Sequence, residues 1–221
     1  MVYTKVVNDL IASGANCYLF GGAVRDRILE QVPTDYDFLV GNINEDLFDK
    51  VLSKHGIIYR GNIIPELRKL NTGNGMVDFK YIGDKDVATY LKTNTDFTSN
   101  SLAYNMATDE LLDFHGGRID IANKVLRLTS RRNDLTSYPD FAIVPIRVAR
   151  LSASLGFSIE PETFTFLKKH AHEMFEVTSK ERRAVDLHKL FSRDNSRVAL
   201  DILMKLEIFD RLFNEYDVKE L

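Results

Sequence analysis

The chain has 221 residues, 44% of them hydrophobic and 28% charged, which is the balance of a globular chain of one large domain or two small ones. A formal net charge of −3 excludes a broadly basic nucleic-acid-binding domain, though not a local basic face. Cys17 is the single cysteine, which excludes a disulfide framework and a thiolate zinc cluster and suits a reducing, cytoplasmic compartment.

Residues 1–10 carry no long apolar core, so no signal peptide is expected, and no apolar run approaches the length of a membrane span. Val6, Val7, Leu10 and Ile11 recur at helical spacing over 4–13, with Gly14 as the stop. Residues 17–20 are a short apolar run, predicted as a strand, that ends at Gly21-Gly22 and is followed by a helix over 23–31. Glycine lets the backbone turn tightly and approach a ligand with no Cβ in the way. The N–H groups that open the helix then point at whatever sits over the turn, a natural place for phosphate. Pro33 closes the helix, and a second strand over 35–40 carries Asp35 and Asp37, two apart and so on one side. Two carboxylates beside a phosphate cradle are what a pair of divalent ions needs.

A helix is predicted over 45–55 from Leu47, Phe48, Val51 and Leu52, a short strand over 57–60, and a hairpin-type turn over 71–75. Residues 76–82 alternate as a strand that places Asp78 and Lys80 on one face. A weak helical pattern covers 87–91, a capped helix opens the stretch from Asp96 to Leu112, and an irregular hairpin around Gly116-Gly117 runs to a strand near Arg127. From Phe141 the pattern is helical to the end, with stripes such as Ile146, Ala149 and Ala153, or Phe164, Leu167 and Ala171, and with Gly156 and Pro161 as punctuation. The expected organisation is an α/β head over 1–138 and an all-helical domain over 139–221, with no internal repeat and no low-complexity tract. The five histidines show no metal-ligand grouping, and with no Trp no stacking platform stands out.

Four ordered stretches resemble class II tRNA nucleotidyltransferases (CCA-adding enzymes) and bacterial poly(A) polymerases. The first is Gly21-Gly22-Ala23-Val24-Arg25-Asp26 followed by Asp35-Tyr36-Asp37, and the second is Asp96 to Ala103. The third is Leu112 to Asp120 with Arg127 after it; the fourth is Ile146 to Leu151 through Leu155-Gly156-Phe157, with Glu181-Arg182-Arg183 and Asp186-Leu187 beyond. A lone Gly-Gly pair is a weak signal, whereas four motifs in order are a strong one.

The resemblance implies a palm-like head, a mixed sheet with helices, followed by a helical neck. It also implies magnesium held by Asp35 and Asp37, one ion activating an attacking 3′-hydroxyl and the other bridging triphosphate and leaving group, with Asp78 as a third carboxylate. Gly21 and Gly22 would offer N–H groups to phosphate, while Arg25, Asp96, Asn100, Arg147 and Arg150 would serve nucleotide binding. Plainer roles exist for the same residues: exposed acids in a turn or on an edge strand, an Arg25–Asp26 ion pair, and a solvated basic face for Arg147 and Arg150, which lie three apart on one helical face.

The sequence leaves the family pattern at two places. Asn94 and Thr95 stand where two arginines usually precede the second motif's Asp, and Asp140, Phe141 and Val144 stand where a Glu-Asp-x-x-Arg element selects the base. Phe141 and Val144 cannot make base-edge hydrogen bonds, so discrimination by buried polar pairing is lost, although Phe141 could stack on a base. The family's body and tail, which help hold tRNA, have no counterpart in these residues, so a shortened head-and-neck form is expected. The expected activity is transfer of a nucleotide from an NTP, ATP or CTP, to a hydroxyl, with an RNA 3′ end, tRNA or tRNA-like, as preferred acceptor and with relaxed or altered base choice. The alternatives are a protein or small-molecule acceptor, and a non-catalytic nucleotide- or RNA-binding module.

Overall fold

The computed structural model describes residues 3–61, 64–129, 141–176, 178–192 and 195–214. They fall into two compact units, Met1–Ile121 and Ala122–Leu221. The boundary expected between residues 138 and 139 lies outside the described residues.

The first unit contains, in chain order, α1 (Thr4–Ala12), β1 (Asn16–Phe20), α2 (Gly22–Ile28), β2 (Asp37–Gly41), α3 (Glu45–Ser53) and β3 (Ile57–Arg60). It continues with β4 (Leu67–Asn71), β5 (Met76–Gly83), α4 (Val87–Asn94), β6 (Leu102–Asn105), β7 (Leu111–Asp113) and α5 (Gly117–Ala122). The seven strands form one mixed sheet in the order β3-β4-β5-β2-β1-β6-β7, antiparallel throughout except for the β2–β5 pair. On one face α1 packs through its buried stripe of Val6, Val7 and Leu10, and the Tyr3 ring lies 4.9 Å from Phe38, which stacks on Phe79 at 5.3 Å. The opposite face is closed by α4, where Tyr90 and Leu91 meet Leu39, Ile82 and Ala103. Each such fully buried side chain contributes about 1.5–3 kcal/mol. The α4 helix starts where its pattern was expected, with Asp86 capping it by accepting the Thr89 N–H at 3.0 Å, and runs on to Asn94.

Three elements differ from the sequence expectation. β4 was hidden because Arg68 points inward: its guanidinium is fully buried, donating to Asp49 at 2.7 Å, to Glu45 and to the Pro65 carbonyl, so a charge interrupts the apolar alternation. The helix expected after Asp96 is only a single 3₁₀ turn over Thr98–Asn100, after which Leu102–Asn105 leaves as a strand to pair with β1. The hairpin expected around Gly116-Gly117 is the short helix α5, capped by Asp113, whose carboxylate accepts from Gly117 N–H at 2.8 Å and Arg118 N–H at 3.0 Å.

The second unit holds β8 (Val125–Leu126), α6 (Val144–Leu155), β9 (Ser158–Ile159), α7 (Pro161–Glu176), α8 (Lys180–Phe191), α9 (Ser196–Lys205) and α10 (Phe209–Asn214). It is helical apart from the short parallel pair β8–β9, of which β8 is the strand expected near Arg127 and β9 was not expected. Gly156 ends α6 in the left-handed conformation at φ 66°, and Pro161 opens α7, as their positions in the sequence suggested. α6 packs chiefly against α9. No described helix is long and apolar enough to cross a membrane.

Candidate active site

The sheet register lines up one residue from each strand in a single row. From β3 to β7 these are Tyr59, Lys69, Asp78, Asp37, Phe20, Ala103 and Leu112. Residues in register on adjacent strands share a face. Phe20 packs edge-on against Tyr90 at 6.1 Å, which puts the row on the α4 side of the sheet. The cover supplied by α4 lies over Leu39 and Ile82, so Asp37 and Asp78 stay partly exposed. The two acids are direct partners across the parallel β2–β5 pair, about 4.8 Å apart in backbone spacing.

Asp35 precedes β2 and is exposed. The ladder begins with Asp37 opposite Phe20, and the Asp78 N–H reaches back to the Tyr36 carbonyl at 3.0 Å, so Asp35 lies just past the last ladder bond. Strand alternation therefore orients Asp37 and leaves Asp35 to the loop, whereas the sequence had both on one strand. Asp78 is held by Lys69, whose Nζ lies 3.0 Å from its Oδ2.

Gly21 follows Phe20 directly, so the glycine turn abuts Asp37. Its φ of 73° and ψ of −136° belong to glycine alone, and its N–H donates to the Leu102 carbonyl at 3.1 Å. Gly21 thus contributes conformation, and Gly22 opens α2. A Cβ on Gly22 would sit 3.4 Å from the Arg25 guanidinium. Arg25 is buried and makes the ion pair expected with Asp26, donating from Nη2 and Nε at 2.6 and 2.9 Å. Its Nη1 donates to Asn100 at 2.7 Å, and Asn100 in turn donates to Asp96 at 3.3 Å. Arg25, Asn100 and Asp96 are therefore one hydrogen-bonded chain that fastens the second motif to the glycine turn.

In the second unit Arg147 and Arg150 lie on α6, half-buried. Arg150 Nε is 3.5 Å from the buried Asp186 carboxylate on α8, a contact that explains why an acid follows the Glu181-Arg182-Arg183 run. Val144 is the first residue of α6 and is fully buried, so the position expected to match a base-selecting arginine carries a core side chain. Asp140 and the side chain of Phe141 lie outside the described residues.

Among the described residues no three His, Cys, Asp or Glu side chains form a closed metal cluster. Cys17 is buried in β1, where desolvation pushes its thiol far up, so it supplies no nucleophile at neutral pH. A cavity of about 620 Å³ bordered by Glu45, Glu66, Tyr81 and Asp84 lies at the far end of β5 from Asp78 and includes none of the acids of the row. Sequence reasoning did not single out Lys69 and Tyr59, which the register places in the same row as the acids. Their signal was present only in pairing, because each lies on a short strand that has no clean alternation of its own.

Residues 17–127 match the Poly A polymerase head domain, and residues 156–219 match a probable RNA and SrmB-binding site of polymerase A. The chain is 28% identical over 226 residues to the CCA-adding enzyme of Bacillus subtilis, covering 97% of this chain and 56% of that protein. It is 29% identical over 218 residues to the multifunctional CCA protein of Actinobacillus pleuropneumoniae, covering 90% of this chain and 51% of that protein. The Thermotoga maritima CCA-adding enzyme complexed with tRNA aligns with a TM-score of 0.78 at 23% identity, covering 97% of this chain and 54% of that one. A CCA-adding enzyme in complex with CTP aligns with a TM-score of 0.76 at 22% identity, covering 97% and 55%. The structural likenesses establish the fold, and the chain spans about half the length of the curated relatives it matches.

Proposed function

We propose, from the premise that the chain belongs to the Poly A polymerase head-domain family, that it is a metal-dependent nucleotidyltransferase. It moves a nucleotide from ATP or CTP to the hydroxyl of an RNA 3′ end, tRNA or tRNA-like, and releases pyrophosphate. The observation that carries this reading is the in-register pairing of Asp37 with Asp78 on a partly exposed face, beside a glycine turn, with Asp35 exposed at the mouth of β2. The names of the relatives and the tRNA, CTP and ATP complexes of the neighbours point to the same substrate classes. A head over 1–138 that does the chemistry, a neck over 139–221 that aids nucleotide binding, and a cytoplasmic location belong to the same reading.

Magnesium is the ion that fits the donor set. It takes oxygen ligands and is held through one or two carboxylates together with substrate phosphates, so a closed cage of three acids is not required. Asp35 and Asp37 would hold it, with Asp78 alongside. When bound, the ion would neutralise charge on the phosphates and ease deprotonation of the attacking hydroxyl. The chain's own residues do the rest. The Gly21-Gly22 turn brings the opening of α2 to the mouth of the site, and the Arg25–Asn100–Asp96 chain keeps that turn in place. Lys69 offsets the repulsion between the neighbouring Asp37 and Asp78 carboxylates. Relaxed or altered base choice follows from the buried Val144 at the selector position.

The test is incubation with labelled ATP, CTP, GTP and UTP, magnesium and total RNA. Label in RNA is expected; label in protein would favour a protein acceptor, and bound nucleotide without transfer would favour a binding module. The Asp35→Ala/Asp37→Ala double variant is expected to lose transfer by at least about a hundredfold. Undiminished transfer in that variant would overturn the assignment of the acids.

A further inference from the structure

We propose that the open face of β3, β4 and β5 seats the RNA strand whose 3′ end reacts, with Tyr59 stacking on a base and Lys69 meeting a phosphate on the way to the acids. This rests on the transferase reading and adds the surface that delivers the acceptor. The row that contains Asp37 and Asp78 continues outward to Lys69 and then Tyr59 without a break in register. On its outer half the face is not covered: Tyr59 is 50% exposed and the Lys69 side chain 50%, against 25% for the Asp78 side chain. The next row on the same face is Ile57, Asn71 and Met76, and there Ile57 is 62% exposed and Met76 48%. Three large apolar side chains left in water on an edge strand and its sheet are an aggregation liability, and such a patch marks a binding surface.

The chemistry of the patch selects single-stranded nucleic acid. An aromatic face beside a lysine is the combination on which bases stack and phosphates settle without sequence preference. The reacting acids need a hydroxyl brought to them, and the patch leads straight to them. Tyr59 is three strands from Asp37, about 14 Å at the usual strand spacing. A strand whose terminal hydroxyl lies at the acids therefore passes Lys69 and reaches Tyr59 within about four stacked nucleotides, at about 3.4 Å each. Lys69 already sits against Asp78, where its charge also counters the repulsion that the two acids exert on incoming phosphate.

The experiment measures binding of a 5′-fluorescein-labelled single-stranded RNA dodecamer ending in CC, by anisotropy, with magnesium and without NTP. Transfer to the same RNA is measured separately. Tyr59→Ala is expected to weaken binding about tenfold and Tyr59→Phe less than twofold, since a base stacks on either ring. Lys69→Ala and Ile57→Ser are expected to weaken it severalfold, and Ile119→Ser, at an exposed position on α5, to leave it unchanged. In transfer, Tyr59→Ala is expected to raise the KM for RNA about tenfold while the KM for NTP moves less than twofold. If RNA receives label but neither Tyr59→Ala nor Lys69→Ala alters RNA binding or its KM, the surface is overturned while the transferase reading stands. If binding falls as expected and no RNA receives label, the surface stands and the RNA acceptor falls. Absence of RNA binding by the unaltered chain overturns the surface. So does a dimer in sedimentation that Ile57→Ser disperses with no loss of RNA binding, because the face is then an interface between copies of the chain.

Discussion

Arg25 carries a charge out of solvent beside the glycine turn, and its two acceptors decide what it can do. Asp26 neutralises it and Asn100 fixes its direction, so its bonds tie the glycine turn to its surroundings. His115 is the opposite case. Its Nε2 is buried with no hydrogen-bond partner among the described residues. Burial, helped by the Lys92 charge, pulls the imidazole below its ordinary 6.5, against an opposing pull from Asp113. The folded state therefore takes up a proton on His115 less readily than the unfolded chain, which protonates below about pH 6.5. Stability from this group is complete above that value and is lost as pH falls toward the depressed folded value. We expect the Tm to drop between pH 7 and pH 5, and His115→Gln to make that drop shallower; equal slopes in the two proteins would remove His115 as the cause. Residue types made the acids candidates, Asp35 and Asp37 through one local motif and Asp78 through the alternation of its own strand. Lys69 was not legible, since nothing near it in the chain says that it faces Asp78.

At the scale of elements, what could be read depended on how cleanly a pattern matched one period. α1, α3 and β5 carry regular stripes and lie where the sequence put them, to within a residue or two. β4 did not, because a buried arginine replaces an apolar residue, and its partners Glu45 and Asp49 come from α3, a separate segment. α5 was misread because glycine suggests a turn, yet Gly117 is there for space. A Cβ at that position would lie 2.2 Å from the Thr98 carbonyl oxygen, a backbone atom that has little room to move. Gly117→Ala is expected to cost about 2–3 kcal/mol, read as a lower urea midpoint with unchanged slope. It is also expected to loosen the 3₁₀ turn that holds Asn100, since the Thr98 hydroxyl is tied to Asp120 of the same helix at 2.7 Å. A midpoint unchanged within error would mean that α5 shifts freely, and the packing account would fail.

For the whole molecule the order of two architectures was legible from the change of period alone: alternating strands and helices first, helices after. β8 is the strand expected near Arg127, but its partner β9 was invisible because two residues carry no pattern, and only the parallel contact with a distant segment makes them a strand. The charge balance sets a further expectation. With a net charge of −3 the long-range field would not draw RNA in, so on the proposed reading affinity would rest on a few local contacts. The slope of log K against log salt for single-stranded RNA is expected to lie between about −1 and −3, at about 0.7 per phosphate neutralised, from 50 to 300 mM salt in anisotropy. A slope steeper than about −5 would reveal a wide basic surface that the composition does not suggest.

The parallel pairing of β2 with β5 has a consequence for how the molecule comes into being. Parallel neighbours cannot be joined by a tight turn, and here α3, β3 and β4 must all be laid down between them. The β4–β5 hairpin, turning through Gly73 and Gly75, closes over a short loop and is expected to form early; the step that brings β5 beside β2 closes a long one and is expected to form late. Asp37 and Asp78 become neighbours only at that late step. During refolding, helical signal is expected to return before catalytic competence does, and on the ribosome the acids stay apart until β5 has emerged and docked. On the proposed reading, a nascent or half-folded chain would not yet bring together the acids that transfer needs.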